Sequence, residues 1–562
     1  MNSSIDSCDA SLHSKNSRVA CFVFCFVKGI HVASCVVSIQ RLAPNAAMMA
    51  FRGSLSSTWS YVALAALRFA FVLSPGLIHP DEFAQSSQVM AAHILGNRAA
   101  AASLPWEFSA IGAPFRSYFP PAATSGLAYA TMNKMLAPGF FSPRFLLALP
   151  RLAMLALSFL SDLLTWKVAK SFFGERCARA AVLLRASSWI SVVLASRTLS
   201  NTLELFALDV IFGLCVLPNE LWPCAIAAAA ACGFFVRITF PAFAAPVIVW
   251  AFARHARTRG LWSFASAATK SAFMFTTYAV FITCFDSAWH RRYQDIRAPM
   301  ISTPAPLRNF MYNIDEENLA NHGLHPRWTH LVVNCQVMFG PLFMYVFFAG
   351  LRYPLKQTKL WFASIILPLA ALSLFPHQEP RFLAPLLLPL SLAFSARCHR
   401  RGKSARAFWI AWTVHSVALS AFFGSFHQGG LLRAATTTSL STMISSGGDA
   451  IKNETLCVAT WNTYPMPLHL LDLPNASRVT AINMGGASPR KVGQLLRDVC
   501  GCAASTNECI GVFLAPLESE KALWAATRAV SKRPLGAVKS FWPHLSTEHF
   551  SSTFTLTMYF LR

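Results

Sequence analysis

"TWSYVALAALRFAFVLSPGLIHPDEFAQSSQ", residues 58–88, is the stretch on which the reading of the chain turns. It is apolar from Tyr61 to Leu73, and residues 58–76 approach the roughly 20 apolar residues that a membrane-spanning helix needs. Two adjacent carboxylates, Asp81 and Glu82, follow almost at once, with His79 and Pro80 before them. An acidic pair at the mouth of a membrane segment needs a reason, because charge is expensive inside the bilayer.

Outward from this stretch the apolar pattern repeats. The 562 residues are 54% hydrophobic and 13% charged, with a mean hydropathy of +0.44. A soluble domain carries about a quarter charged residues. Candidate spans are 20–40, 58–76, 122–137, 144–166, 178–196, 202–218, 222–237, 239–254, 265–285, 331–351, 359–375, 382–397 and 406–424. Allowing for short or re-entrant segments, this predicts an all-α polytopic membrane protein of roughly 11–13 transmembrane helices.

The net charge of +24 does not point to nucleic acid. The Lys and Arg residues gather in short loops between apolar runs, as cytosolic loops do under the positive-inside rule. The basic stretches 253–260, 352–359 and 397–406 are therefore assigned to the cytosol. Parity then puts 77–121, 286–330, 375–382 and everything after 424 in the lumen. Two glycosylation sequons, at Asn453 and Asn475, agree with a lumenal tail. Cys457, Cys500, Cys502 and Cys509 lie in that tail, where an oxidising compartment favours disulfides. The closing alternation "TFTLTMYF" reads as a strand, giving a small lumenal α+β C-terminal region. Three units are expected: an N-terminal extension 1–50 (a signal anchor or a mis-annotated start), a transmembrane domain 51–433, and a lumenal domain 434–562.

Several charges fall within or beside apolar runs: Arg151, Asp162, Arg185, Arg197, Glu204, Asp209, Arg237 and Arg381. Interhelical ion pairing accounts for Arg151, Asp162, Arg185 and Asp209. Arg197, Arg237 and Arg381 sit among hydroxyl, amide and carboxylate residues at span ends, where a planar guanidinium can grip a phosphate. Two motifs, "HPDE" (79–82) and "HQEPRF" (377–382), join histidine to carboxylate and share the lumenal side. Neither has the helical histidine pair of a zinc protease, and no metal site or other cofactor is expected.

Taken together, "HPDE", "RTLSNTLE" (197–204), "NLANHGLHPRWTHLVVN" (318–334) and "HQEPRFL" (377–383) resemble glycosyltransferase family 22. The resemblance covers roughly 57–433. "PWEF" (105–108) and "FFGSFHQGGLLR" (422–433) narrow it to the branch that adds the fourth, side-branching mannose of the glycosylphosphatidylinositol (GPI) precursor. The third-mannose and asparagine-linked-glycan branches tend to carry Lys where this chain has Gln378, but they remain alternatives, and a membrane transporter is a more distant one. Ala84 departs from the family pattern.

The resemblance implies a GT-C membrane fold, an address in the endoplasmic reticulum membrane and a lumenal active site. It implies dolichyl-phosphate-mannose as donor, the GPI glycolipid as acceptor and an inverting α-1,2 transfer. Inversion needs a base on the acceptor hydroxyl. Asp81 is expected to fill that role, with Glu82 as the alternative base or as its partner; an N-cap is the other reading of Asp81, but capping alone would not call for the flanking His79. His79, Arg197, Arg237, His377, Gln378, Glu379 and Arg381 are expected around the donor sugar and phosphate. His322, His325 and Arg327 are expected to meet the acceptor.

Overall fold

The computed structural model describes residues 55–96, 104–109, 114–135, 142–216, 222–294, 296–315, 317–318, 323–352, 359–396, 403–437, 456–471, 479–500, 510–527, 536–547 and 553–561. The extension 1–50, His322 and both sequon asparagines, Asn453 and Asn475, lie outside the described residues.

The fold is a helical bundle with a small sheet at its C-terminal end. Helical segments occupy each candidate span from 58–76 onward. The longest are Pro143–Phe173 and Leu261–Tyr293, of 31 and 33 residues. The first shows how the sequence sets an element's limits. Ser142 caps it by accepting from the Phe145 backbone N–H at 3.4 Å, and Pro143 supplies a pre-set φ with no N–H to waste. Gly174, at φ 79°, ends it in a backbone conformation that side chains resist.

By length and composition, two helices among the described residues could cross a bilayer alone, Pro143–Phe173 and Ala405–Phe426. Two bent pairs raise that to four: Glu175–Ala186 with Trp189–Ser196, kinked by 63°, and His330–Phe339 with Pro341–Phe348, kinked by 120°. This is fewer than the sequence predicts. Many apolar stretches form short or interrupted helices, such as Trp222–Val236, Lys359–Ser373 and Pro380–Ser395. Ser188 restarts a helix at the first kink by accepting from the Ser191 N–H. At the second kink stands the buried Gly340, at φ 44°.

Ion pairs lock the bundle from within. Arg68 and Asp162 are both buried and pair directly, and the Tyr61 hydroxyl donates to the same carboxylate at 2.9 Å. Arg185 pairs with Asp209 and donates to the Thr165 hydroxyl at 3.1 Å. Pairing is therefore the role of Asp162, Arg185 and Asp209, as expected. Arg68, embedded in the opening apolar run, escapes a reading that sees only hydropathy.

The C-terminal sheet runs in the order β2-β1-β3-β5-β4. Strands β1 (Leu456–Thr460), β2 (Val479–Asn483) and β3 (Ile510–Pro516) are parallel, whereas β5 (Leu556–Leu561) pairs antiparallel with both β3 and β4 (Gly536–Phe541). β5 falls on the alternating stretch predicted as a strand. Cys457 is disulfide-bonded. The inner face of the sheet shares one core with the segments around the "HPDE" motif: Leu77, Phe83 and Met90 join Val458, Leu514, Leu556 and Met558.

Candidate active site

Three chain segments converge at one end of the bundle: residues 79–82, 377–381 and 323–330. The first leaves the helix Leu55–Phe71 and turns at once into a π-helical turn, Phe83–Ser87. Such turns are rare and recur at functional sites, because they re-aim side chains. The described basic stretch 253–260 lies at the opposite end: the helix Phe240–Arg259 begins beside Arg237 and reaches its terminal arginines 20 residues, or about 30 Å, later.

At the centre stands Arg381. Its Nη2 donates to Asp81 Oδ2 at 2.8 Å and to Glu379 Oε1 at 3.1 Å, and its Nε also donates to Glu379. His377 Nε2 is 3.0 Å from Glu379 Oε1. His79 Nδ1 accepts from the Asp81 backbone N–H at 3.2 Å, while its Nε2 lies 3.4 Å from Arg381 Nη2. The two acidic-histidine motifs, some 300 residues apart in sequence, thus form one cluster. Arg381 Nη1 is buried and has no hydrogen-bond partner among the described residues. A buried donor left open is costly unless a ligand fills it.

The electrostatics follow from the packing. Burial would raise the Asp81 carboxyl, but Arg381 and His79 outweigh it and hold the group well below the usual carboxylate range. Glu379 is likewise pushed up by burial and pulled further down by Arg381 and His377. Burial lowers the His377 imidazole, yet its bond to Glu379 leaves it above its ordinary value.

Asp81 and Glu82 part company here. The Asp81 side chain is 23% exposed and faces the cluster, whereas Glu82 is 0% exposed. Glu82 Oε1 accepts from Arg151 Nε at 2.7 Å, and its backbone carbonyl accepts from the Thr198 hydroxyl. Arg151 also donates to the Val72 and Ser74 carbonyls at 3.0 Å each, so the pair staples the loop to the bundle. Arg197 is fully buried, donates to the Ser74 hydroxyl at 2.7 Å and lies 3.8 Å from Glu82 Oε1.

Arg237 lines an open cleft beside the cluster, together with Gln85, Arg116, Thr198, Ser200 and Asn309. It pairs with Glu204 at 3.3 Å, donates to Ser200 Oγ at 3.0 Å, and stacks over Phe382 at 4.9 Å. Ser200 donates on to Gln85 at 3.0 Å; Gln85 donates to Glu107 at 3.1 Å; Glu107 pairs with Arg116 at 2.6 Å. Glu107 belongs to the "PWEF" stretch. Arg116 was not singled out in the sequence, as it stands alone between apolar residues.

The remaining expected residues shape the loop wall. Gln378 is buried; its Oε1 accepts from the His330 N–H at 2.8 Å and its Nε2 donates to the Phe375 and Arg327 carbonyls at 3.0 and 3.3 Å. Arg327 donates to the Leu374 carbonyl, and the His325 N–H donates to the Pro376 carbonyl at 2.8 Å. The segment 323–330 is thus pinned against 374–378.

The profile of the Alg9-like mannosyltransferase family matches residues 59–471. GPI mannosyltransferase 4 of Aspergillus oryzae is 32% identical over 492 residues, covering 81% of this chain and 86% of that protein. GPI alpha-1,2-mannosyltransferase 4 of Homo sapiens is 30% identical over 543 residues, covering 87% and 89%. Among solved structures, ArnT from Cupriavidus metallidurans bound to undecaprenyl phosphate matches with a TM-score of 0.51 at 12% identity, over 89% of this chain and 97% of that one. That likeness is one of fold, and it is GT-C-like. Family profile and relatives agree over most of the sequence: the chain belongs to the Alg9-like mannosyltransferase family.

Proposed function

We propose that this membrane mannosyltransferase acts in GPI-anchor biosynthesis, moving mannose from dolichyl-phosphate-mannose to the third mannose of the GPI precursor in an inverting α-1,2 transfer. The observation that carries the reading is the partly exposed Asp81 carboxylate, held 2.8 Å from an Arg381 that keeps a further donor open. In the step envisaged, the acceptor hydroxyl oxygen attacks the anomeric carbon while the bond from that carbon to the phosphate oxygen breaks. The hydroxyl proton passes to Asp81, and dolichyl phosphate leaves with the bonding electrons. Arg381 stabilises the charge that develops on the phosphate, and the Arg237 side of the cleft extends that field.

Arg381 links the two halves of the step. While it grips Asp81, the carboxylate is a weak base. A donor phosphate that draws Arg381 towards itself frees Asp81 and restores its basicity, so the base becomes competent once donor is bound. The ArnT structure holds an undecaprenyl phosphate, which supports a polyisoprenyl-phosphate donor within the shared fold. The names of the relatives support the GPI acceptor, and that of the human protein the α-1,2 linkage. An active site on the lumenal side of the endoplasmic reticulum is supported by Arg257 and Arg259, basic residues a helix length away from Arg237. Glu82, by its pairing, supports the loop rather than the proton transfer.

The test supplies microsomes carrying the protein with labelled dolichyl-phosphate-mannose and a defined three-mannose GPI acceptor. A four-mannose product that an α-1,2-mannosidase returns to three mannoses is expected. Transfer only to a two-mannose acceptor, or only from a nucleotide sugar, would overturn the reading.

A further inference from the structure

The "FFGSFHQGGLLR" stretch and the C-terminal sheet have no part in the chemistry so far, yet both press on the loop that carries Asp81. The Gly76 N–H donates to the Gly424 carbonyl at 2.7 Å, and the Leu77 N–H to the His427 carbonyl at 3.0 Å. His427 Nδ1 lies 2.6 Å from the Leu77 carbonyl, which can only accept, so Nδ1 carries the proton. The backbones meet this closely because no side chain intervenes: a Cβ on Gly76 would lie 2.1 Å from the Phe423 carbonyl oxygen.

Residues 427–428 are in turn bolted to the tail. The Gln428 N–H donates to the Leu545 carbonyl at 2.9 Å, and the Leu545 N–H to the Phe426 carbonyl at 2.8 Å. Gln428 Oε1 accepts from the Thr463 hydroxyl at 2.6 Å and the Tyr464 N–H at 3.3 Å, while Nε2 donates to Ser546 Oγ at 3.1 Å. Gln428 holds φ at 54°, a left-handed conformation that a residue with a side chain keeps only where its surroundings fix it.

From this anchor the segment 463–469 reaches both flanks of the acidic pair. The Tyr464 ring lies 6.1 Å from His79, just before Asp81, and 5.7 Å edge-on from His427. The His469 ring lies 5.5 Å from Phe83, just after Glu82. His79 in turn accepts from the Asp81 N–H.

We propose that the C-terminal region completes the active site, with Tyr464 as a positioning residue that holds His79 and, through it, the Asp81 carboxylate. The contact with His79 is made by the ring, while the hydroxyl accepts from Thr547 at 3.3 Å. The inference rests on the reading of Asp81 as the base. A carboxylate misplaced by about an ångström can lose a hundredfold in rate, so even a partial release should be visible.

The test uses the full-length protein in microsomes, with Tyr464→Ala, Tyr464→Leu, Tyr464→Phe and Asp81→Asn assayed side by side at equal protein level. Tyr464→Ala and Tyr464→Leu are expected to lower kcat about tenfold or more, with KM for donor and acceptor little changed. Tyr464→Phe keeps the ring against His79 and should stay within about twofold of wild type. Leu fills most of the space, so it reads the ring contact even where Ala reduces the folded yield. Full kcat in Tyr464→Leu, or a loss confined to acceptor KM, would overturn the proposal, the latter by making Tyr464 a substrate contact. Should Asp81→Asn alone stay active, the base assignment falls instead, and the two failures are told apart.

Discussion

Arg381 Nη2 lies 2.8 Å from Asp81 Oδ2 and thereby joins the first acidic-histidine motif of the chain to the last. The same guanidinium holds Glu379, so one cation serves two carboxylates and keeps its Nη1 donor free of them. That geometry makes it the hinge of the proposed reaction.

Replacement of Arg381 should therefore be severe and should not be rescued by a simple positive charge. Arg381→Ala and Arg381→Lys are both expected to lower transfer by about 10²–10³-fold, since lysine lacks the planar fork that reaches two carboxylates and a phosphate together. Initial rates at saturating donor and acceptor check this; a Lys variant at wild-type rate would show that charge alone suffices.

The Glu82–Arg151 pair predicts a stability effect of a different kind. Glu82→Gln or Arg151→Met alone leaves one buried charge without its partner and should cost about 3–5 kcal/mol. The double variant should recover only part of that loss, because the buried Arg197, 3.8 Å from Glu82 Oε1, then lacks its carboxylate. Thermal unfolding in detergent measures all three, and an additive double variant would contradict the pairing.

Gln378 makes a third case. It satisfies the His330 N–H and donates to the Phe375, Arg327 and Ser373 carbonyls. Gln378→Leu should loosen 323–330 from 374–378, at about 1–3 kcal/mol for each buried group left unpaired. Faster limited proteolysis within 323–330 is the expected readout, whereas an unchanged cleavage pattern would count against this role.

The titration behaviour has two opposite arms. Asp81 and Glu379 have depressed values in the folded protein, so the stability they contribute is present above the ordinary carboxylate range and lost as pH falls through their lowered values. His377 is raised, so its contribution is complete below about 6.5 and lost as pH rises through the raised value. Stability should thus decline as pH rises above about 6.5, and His377→Phe should flatten that decline. Unfolding midpoints from pH 6 to 9 test it; an identical slope in the variant would remove His377 as the cause.

Much of this was legible in the sequence because hydropathy and charge placement are local signals. The helical segments follow the apolar runs, and the misplaced charges Asp162, Arg185 and Asp209 proved to be paired. What stayed hidden depends on tertiary contact. Arg68 sits in a run whose hydropathy masks it, and only the opposite helix reveals its carboxylate. Asp81 and Glu82 are chemically equivalent neighbours; Arg151, 69 residues away from Glu82 in sequence, separates their roles. Gln378, His325 and Arg327, expected around the substrates, also bond backbone groups of the loop wall, a use that composition does not encode. Tyr464 lay in a tail with no motif, and its closeness to His79 arises from a crossing of the chain almost 400 residues later.

The most direct test of the account compares wild type with Asp81→Asn, which keeps the shape of the side chain and removes its basicity. At saturating dolichyl-phosphate-mannose and three-mannose GPI acceptor, the Asn variant should lose about 10²–10⁴-fold in kcat while still binding donor. Mannosyl transfer by Asp81→Asn at near wild-type rate would contradict it.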